Sequence, residues 1–264
     1  MRCPMRFKKA GPLIPILLII VSTTFAQASS PLNQKPIDTS SQSGHARLTK
    51  AFIVDDRLSA LRREADLKSQ VVQRLRLRRP VLIIESKGGK GDQPKFYRVA
   101  VTRRTRGWIH ESALAIPGRP HEDERVMNLI TDTRDGLDRI ALCQLFLEHF
   151  NRSPLAPRVL LAMAEEADRA SVTLSQHARK HLKDVDAGGG VNLRDYYLND
   201  SGLDRYSKLG IAFDFEQATS EFVYDGRAYR QILKRFPHSA EAQLARKRLD
   251  SVEQRLARQQ KNSL

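Results

Sequence analysis

The sequence predicts an α+β multidomain protein, a small β-barrel followed by an all-α helical domain. Three observations predict it. From Ala51 to Ile109 the apolar residues come in short runs with period two or near-continuous burial, which is strand spacing. Past residue 120 they recur at steps of three and four, which is one face of a helix. Between the two patterns stands Pro117-Gly118-Arg119-Pro120, a cluster of breakers that marks a domain boundary.

Ahead of the barrel the chain carries an export layout. Arg2, Arg6, Lys8 and Lys9 open it without an acid, Leu13 to Val21 is almost uninterrupted Leu, Ile and Val, and Ala26-Gln27-Ala28 supplies small residues where a signal peptidase reads. Residues 1–28 are therefore expected to be a signal peptide. The apolar run is short for a bilayer and no second one follows, so no membrane span is expected after cleavage; an uncleaved anchor is the alternative. Residues 29–49, rich in Ser, Gln and Pro without periodicity, read as a flexible linker.

The barrel is expected over residues 50–117. Its strands are Ala51–Val54, Val71-Val72 with Leu75 and Leu77, Val81–Ile84 after Pro80, Phe96–Val101 and Gly107–Ile109. Lys87-Gly88-Gly89-Lys90-Gly91-Asp92 supplies a turn that accepts positive φ, and Arg103-Arg104-Thr105-Arg106-Gly107 a tight basic turn. So many short strands in so short a stretch must curl to bury both ends.

Ala60-Leu61-Arg62-Arg63, Ser69-Gln70-Val71-Val72 with Leu75, Val81 to Ile84, Phe96-Tyr97-Arg98-Val99 and Gly107-Trp108-Ile109-His110 with Leu114 together resemble a bacterial SH3 domain. Glu64 and Arg78 replace that family's turn glycines, and Phe96 its Trp. The resemblance implies an SH3-like barrel in an exported module, often attached to cell-wall enzymes or envelope proteins and sometimes gripping peptidoglycan peptides. Tyr97 and Trp108 would then be its aromatic contacts. The competing role for them is structural, with Trp108 filling the barrel core and Tyr97 covering an edge.

The helical domain is expected over residues 118–264. Asp135–Phe150 and Leu155–Ala170 form one helical pair, separated by Asn151-Arg152-Ser153-Pro154. Phe215, Ala218, Phe222, Tyr229, Ile232, Leu233 and Phe236 belong to one long apolar helix or to a pair broken at Gly226. Ala242, Ala245, Leu249, Val252 and Leu256 define the last helix, with Ser239 at its N-cap. Leu147 to Ser153 with Ala156 and Met163 superposes on Leu233 to Ser239 with Ala242 and Leu249 at a constant shift. The passage from Ala228 to Ala242 resembles the tetratricopeptide-like repeats of envelope-assembly proteins. Two legible repeats are fewer than a solenoid needs, so an irregular helical bundle is the alternative. Between the pairs, Ala187-Gly188-Gly189-Gly190 breaks the helix and Asn192 to Gly210 reads as an insertion.

No residue pattern assembles an enzyme. Cys143, alone after removal of Cys3, sits in an apolar helix and reads as a buried inert thiol. His177 and His181 share a helix face without a third ligand, and no metal or other cofactor is expected. Glu165, Glu166 and Asp168 read as a solvated helix face. The basic residues are the better lead. Arg74, Arg76 and Arg78 alternate with Leu75 and Leu77, which in a strand puts three guanidinium groups on one face, and Arg103, Arg104 and Arg106 lie on the basic turn. A solubilising surface is the competing reading.

The formal net charge of +15 is unevenly placed: residues 50–117 hold 16 basic and 7 acidic side chains, residues 118–264 hold 23 and 22. An anionic partner is thus expected at the barrel, at Arg74, Arg76, Arg78, Tyr97, Arg103, Arg104, Arg106 and Trp108, and a protein partner at the near-neutral helices. The expected function is a non-enzymatic, exported cell-envelope or periplasmic adaptor. Its anionic partner would be peptidoglycan or another wall or membrane component, with no nucleic acid. An accessory subunit with a purely structural barrel and a cell-wall-active enzyme with an unrecognised site are the alternatives.

Overall fold

The computed structural model describes residues 49–89, 94–185, 202–216, 219 and 221–262. The expected signal peptide and linker up to residue 48, residues 90–93 of the expected glycine-rich turn, the expected helix break at Ala187–Gly190 and the first half of the expected insertion lie outside the described residues. The described residues all belong to one compact unit.

Seven strands come first: β1 Thr49–Ile53, β2 Ala60–Arg62, β3 Val71–Arg74, β4 Pro80–Lys87, β5 Phe96–Ala100, β6 Arg106–His110 and β7 Leu114–Ala115. They form one antiparallel sheet in the order β3-β2-β6-β5-β4-β1-β7. This corrects the expected closed SH3-like barrel, because β3 and β7 are not paired and the sheet keeps two edges. The sheet is curled enough for Ile53, Leu61, Leu75, Val81, Tyr97, Val99, Ile109 and Leu114 to share one core. Closure is unnecessary because helices cover the β1–β7 end instead: Phe52, Val54 and Ala115 are buried in the same apolar cluster as the helices that follow. Burial by another layer removes the requirement that strands bury both ends by themselves.

The helical layer begins with α1 Glu122–Asp132, α2 Gly136–His149 and α3 Ala156–Val185. Helix α1 opens on Glu122, Asp123 and Glu124, acids placed favourably at the positive end of the helix dipole. Its buried Glu122 accepts from the Ile116 backbone N–H at 3.1 Å and from Arg125 at 2.6 Å, and Arg125 also donates to the Leu114 carbonyl, so α1 is pinned to β7. Asp135 caps α2 by accepting from the Asp138 N–H at 2.9 Å. At the other end of α2 the His149 ring stacks on Phe52 at 3.7 Å, and Arg78 donates to Glu148 at 2.7 Å.

After the short α4 Leu203–Ser207 comes a hairpin, β8 Phe213–Glu216 and β9 Glu221–Tyr224, then α5 Arg227–Arg235 and α6 Ala240–Asn262. The hairpin corrects two expectations at once: the C-terminal region is not all-α, and Phe215 and Phe222 stand in strands rather than in a helix. Phe213 and Phe215, like Phe222 and Tyr224, are spaced by two, which stands aromatic side chains on one face of a pleated ribbon. The hairpin is held to α3 by the buried Ser175 hydroxyl, which accepts from the Phe222 N–H at 2.7 Å. Ser239 stands just before α6, but its buried hydroxyl makes no hydrogen bond, so the side-chain cap expected there is absent.

The internal echo is visible in the backbone. Phe150 N–H donates to Phe146 and Ser153 N–H to Phe150 in the first turn; Phe236 N–H donates to Ile232 and Ser239 N–H to Phe236 in the second. Ala156 and Ala242, at or near the start of the helix that follows each turn, are both buried.

Cys143 is fully buried in α2, and desolvation pushes its thiol up to about 12. The thiolate is the reactive species. Native protein is therefore expected to leave a chromogenic thiol reagent unreacted at pH 8 and to release one equivalent from this position on unfolding. Prompt reaction of Cys143 under native conditions would contradict the packing described.

Candidate functional site

In a strand, alternate side chains point to opposite faces, so one set of alternating residues fills the sheet core and the other set is left outside. Tyr97, Val99 and Ile109 go inward. Arg98, Ala100, Arg106 and Trp108 belong to the other face. Cross-strand register then assembles rows on that face. Lys50 is opposite Leu82, Leu82 opposite Ala100 and Ala100 opposite Arg106. The next row is Arg62, Trp108, Arg98 and Glu85.

The first row is the floor of a groove of about 430 Å³, with Pro80 and Val101 adding apolar lining and Lys50, Arg103 and Arg106 supplying its cations. Arg103 and Arg104 are on the β5–β6 turn, where the Thr102 hydroxyl accepts from the Arg104 and Thr105 N–H groups. Arg103, Arg104 and Arg106 are exposed, and their guanidinium groups have no acid partner among the described residues. Several arginines elsewhere are paired with an acid, among them Arg98 with Glu85 at 2.8 Å, Arg119 with Glu111 at 2.6 Å and Arg139 with Glu166 at 3.0 Å.

The other sequence-predicted site residues do not join this group. Arg74 ends β3, opposite Ala60 and so toward the His110 end of β6, away from the Arg103–Arg106 turn. Arg76 follows in the loop. Arg78 has a left-handed backbone, φ 65°, and is turned to Glu148 of α2. The expected single-faced arginine stripe is therefore broken: the strand stops at Arg74, Leu75 enters the sheet core and Leu77 packs on the helical one. Tyr97 is buried in the sheet core, with its hydroxyl near Glu111 and Lys95 over its ring. Trp108 is half-buried on the outer face of an interior strand, so the aromatic that fills the sheet core is Tyr97 and not, as the structural alternative had it, Trp108.

Lys50, Leu82 and Ala100 were not singled out by sequence reasoning. Their signal was the alternation itself: Leu82 and Ala100 are the outward residues of strands whose neighbours Val81 and Val99 are buried. Which outward residues stand side by side depends on register, and register is a tertiary quantity.

A second, larger cleft of about 680 Å³ lies between the sheet end and the helices. Asp55, Asp56, Asp132, Asp135 and Asp138 surround an apolar floor that includes Val54, Leu129 and Leu142. Burial, then the charges of Asp135 and Asp56, push the Asp138 carboxyl above its usual range. Among the described residues no group of three or more His, Cys, Asp or Glu is placed to hold a metal ion. His177 is exposed on α3, and the His181 side chain lies outside the described residues. Glu166 is not on a solvated face: it is 8% exposed and accepts from Arg139 and Arg169, while Asp168 accepts from Tyr229 at 2.7 Å. These carboxylates are tied into packing rather than free for chemistry. Among the described residues no helix is long and apolar enough to cross a membrane. No family model, no curated protein and no solved structure matches the chain.

Proposed function

We propose that the protein is a non-enzymatic adaptor of the cell envelope, exported by its N-terminal segment, that holds an anionic envelope component on the outer face of its sheet and a protein partner on its helical layer. One observation carries the reading. Arg103 and Arg106, with Lys50 alongside, line one groove, and neither they nor Arg104 on the adjoining turn has an acid partner among the described residues. Like charges gathered without partners cost folding energy through mutual repulsion, and an anionic ligand relieves that cost. Arginine suits such a ligand because its planar fork meets carboxylate or phosphate oxygens in pairs. The near-balance of charge over residues 118–264 supports a protein as the second partner.

The test is retention on purified peptidoglycan sacculi and on envelope membranes. Wild-type protein is expected to bind one of them and to be released as salt is raised, because exposed charges are screened. The triple variant R103S/R104S/R106S is expected to bind about tenfold more weakly, since three exposed contacts of about 0.5 kcal/mol each sum to about 1.5 kcal/mol. Equal retention of both proteins, or none of either on both materials, overturns the role of this groove. Release of soluble wall fragments by pure protein overturns the non-enzymatic assignment.

A further inference from the structure

The outer face of the sheet is not only cationic. Leu82 and Ile84 are each 38% exposed on β4. Ile84 is there because the β4–β5 register shifts between Ile83 and Glu85, so it is an extra residue with no partner across the ladder. Such a bulge re-aims a side chain. Trp108 stands half-exposed in the neighbouring row between Arg62 and Arg98. The one acid in that row, Glu85, is neutralised by Arg98 at 2.8 Å. The face therefore presents Leu82, Ile84 and Trp108 beside Lys50, whose ammonium lies over the Phe52 ring, and beside Arg103 and Arg106; none of these three cations has an acid partner among the described residues.

This inference rests on the anionic-partner reading above and names the partner. We infer that the face docks on an anionic phospholipid bilayer, with Leu82, Ile84 and Trp108 in the interfacial layer and Lys50, Arg103 and Arg106 against the phosphates. A tryptophan is at home there, since its ring has an apolar body and a polar N–H. Exposed apolar side chains rimmed by cations are the mark of a surface that meets lipid or protein, and the excess positive charge selects an anionic one. A glycan strand would be served by several stacking rings, and Trp108 is the single tryptophan of the chain.

That single tryptophan makes the test local. The full chain is titrated with vesicles of phosphatidylglycerol mixed with phosphatidylcholine, and separately with phosphatidylcholine alone, while Trp108 emission is followed. The expected result is a blue shift on the anionic vesicles only, with quenching by lipids brominated on the acyl chain. R103S/R106S should weaken partitioning about tenfold or more, and L82S/I84S should remove the quenching. Three outcomes overturn the inference. Retention on sacculi with no Trp108 shift on vesicles leaves the anionic-partner reading standing and removes the lipid. Absence of both kinds of binding removes the two together. Vesicle binding with unchanged Trp108 emission places the contact elsewhere, as the apolar run Leu13 to Val21 would. Circular dichroism of each variant excludes unfolding as the cause.

Discussion

Replacing Glu166 with alanine is expected to lower the thermal midpoint by about 6–12 °C, the largest effect of any single polar substitution in the helical layer. Glu166 lies on α3 and faces the start of α2. One carboxylate oxygen accepts from Arg139 at 3.0 Å and from the Arg169 Nε at 3.1 Å. Arg139 in turn donates to the Thr131 and Thr133 carbonyls at the end of α1. One buried acid thus holds three helices through one arginine. Without it Arg139, whose Nε is already buried and unpartnered, keeps its charge in a low-dielectric site with no counterion. Losing one member of such a pair costs about 3 kcal/mol or more, whereas replacing both by apolar residues of similar size is often neutral. E166A should therefore be severe, E166Q milder, and R139M/E166L should recover much of the loss. A double variant as unstable as E166A would show that the network is not what the substitution removes.

Gly107→Ala is expected to destabilise by about 2–3 kcal/mol, although exchanging glycine for alanine in a strand ordinarily helps. The cause is space. A Cβ at position 107 would lie 2.7 Å from the Arg62 carbonyl oxygen and 2.8 Å from the Leu61 side chain. The carbonyl is backbone and cannot rotate away. Strand β2 joins β6 through one register pair, Arg62 with Trp108, so the strain falls where the β2–β3 hairpin is attached to the sheet. Amide exchange should accelerate first over Ala60–Arg62 and Val71–Arg74, and the emission of neighbouring Trp108 should change. Unaltered exchange with unaltered stability would mean that β2 does not approach β6 this closely.

Much of the local structure is legible in the residues themselves. Strands at Ala51, Val81, Phe96 and Gly107 follow from period-two spacing, and the helices near Asp135, Leu155 and Ala242 from spacing of three and four, because those periods decide which side chains a single element buries. The same logic misled at Phe215 and Phe222, whose separation of seven fits a helix as well as a hairpin. It misread Glu166 as well, since an acid among charged neighbours looks solvated until Arg139 arrives from another helix.

What the chain by itself determined is its division into a basic strand-forming stretch and a near-neutral, mostly helical one, and the presence of arginines in excess of any acid nearby in sequence. Tertiary structure decided which of those arginines meet an acid among the described residues. Arg78 is drawn to Glu148, seventy positions away in the chain, while Arg103 and Arg106 are carried to a groove whose floor comes from Leu82 on another strand. It also decided that the sheet stays open, because helices packed on Phe52, Val54 and Ala115 bury the end that closure would otherwise have to cover. Spacing along one element governs which face is apolar; what covers that face, and which charges meet across it, depends on contacts between residues far apart in sequence.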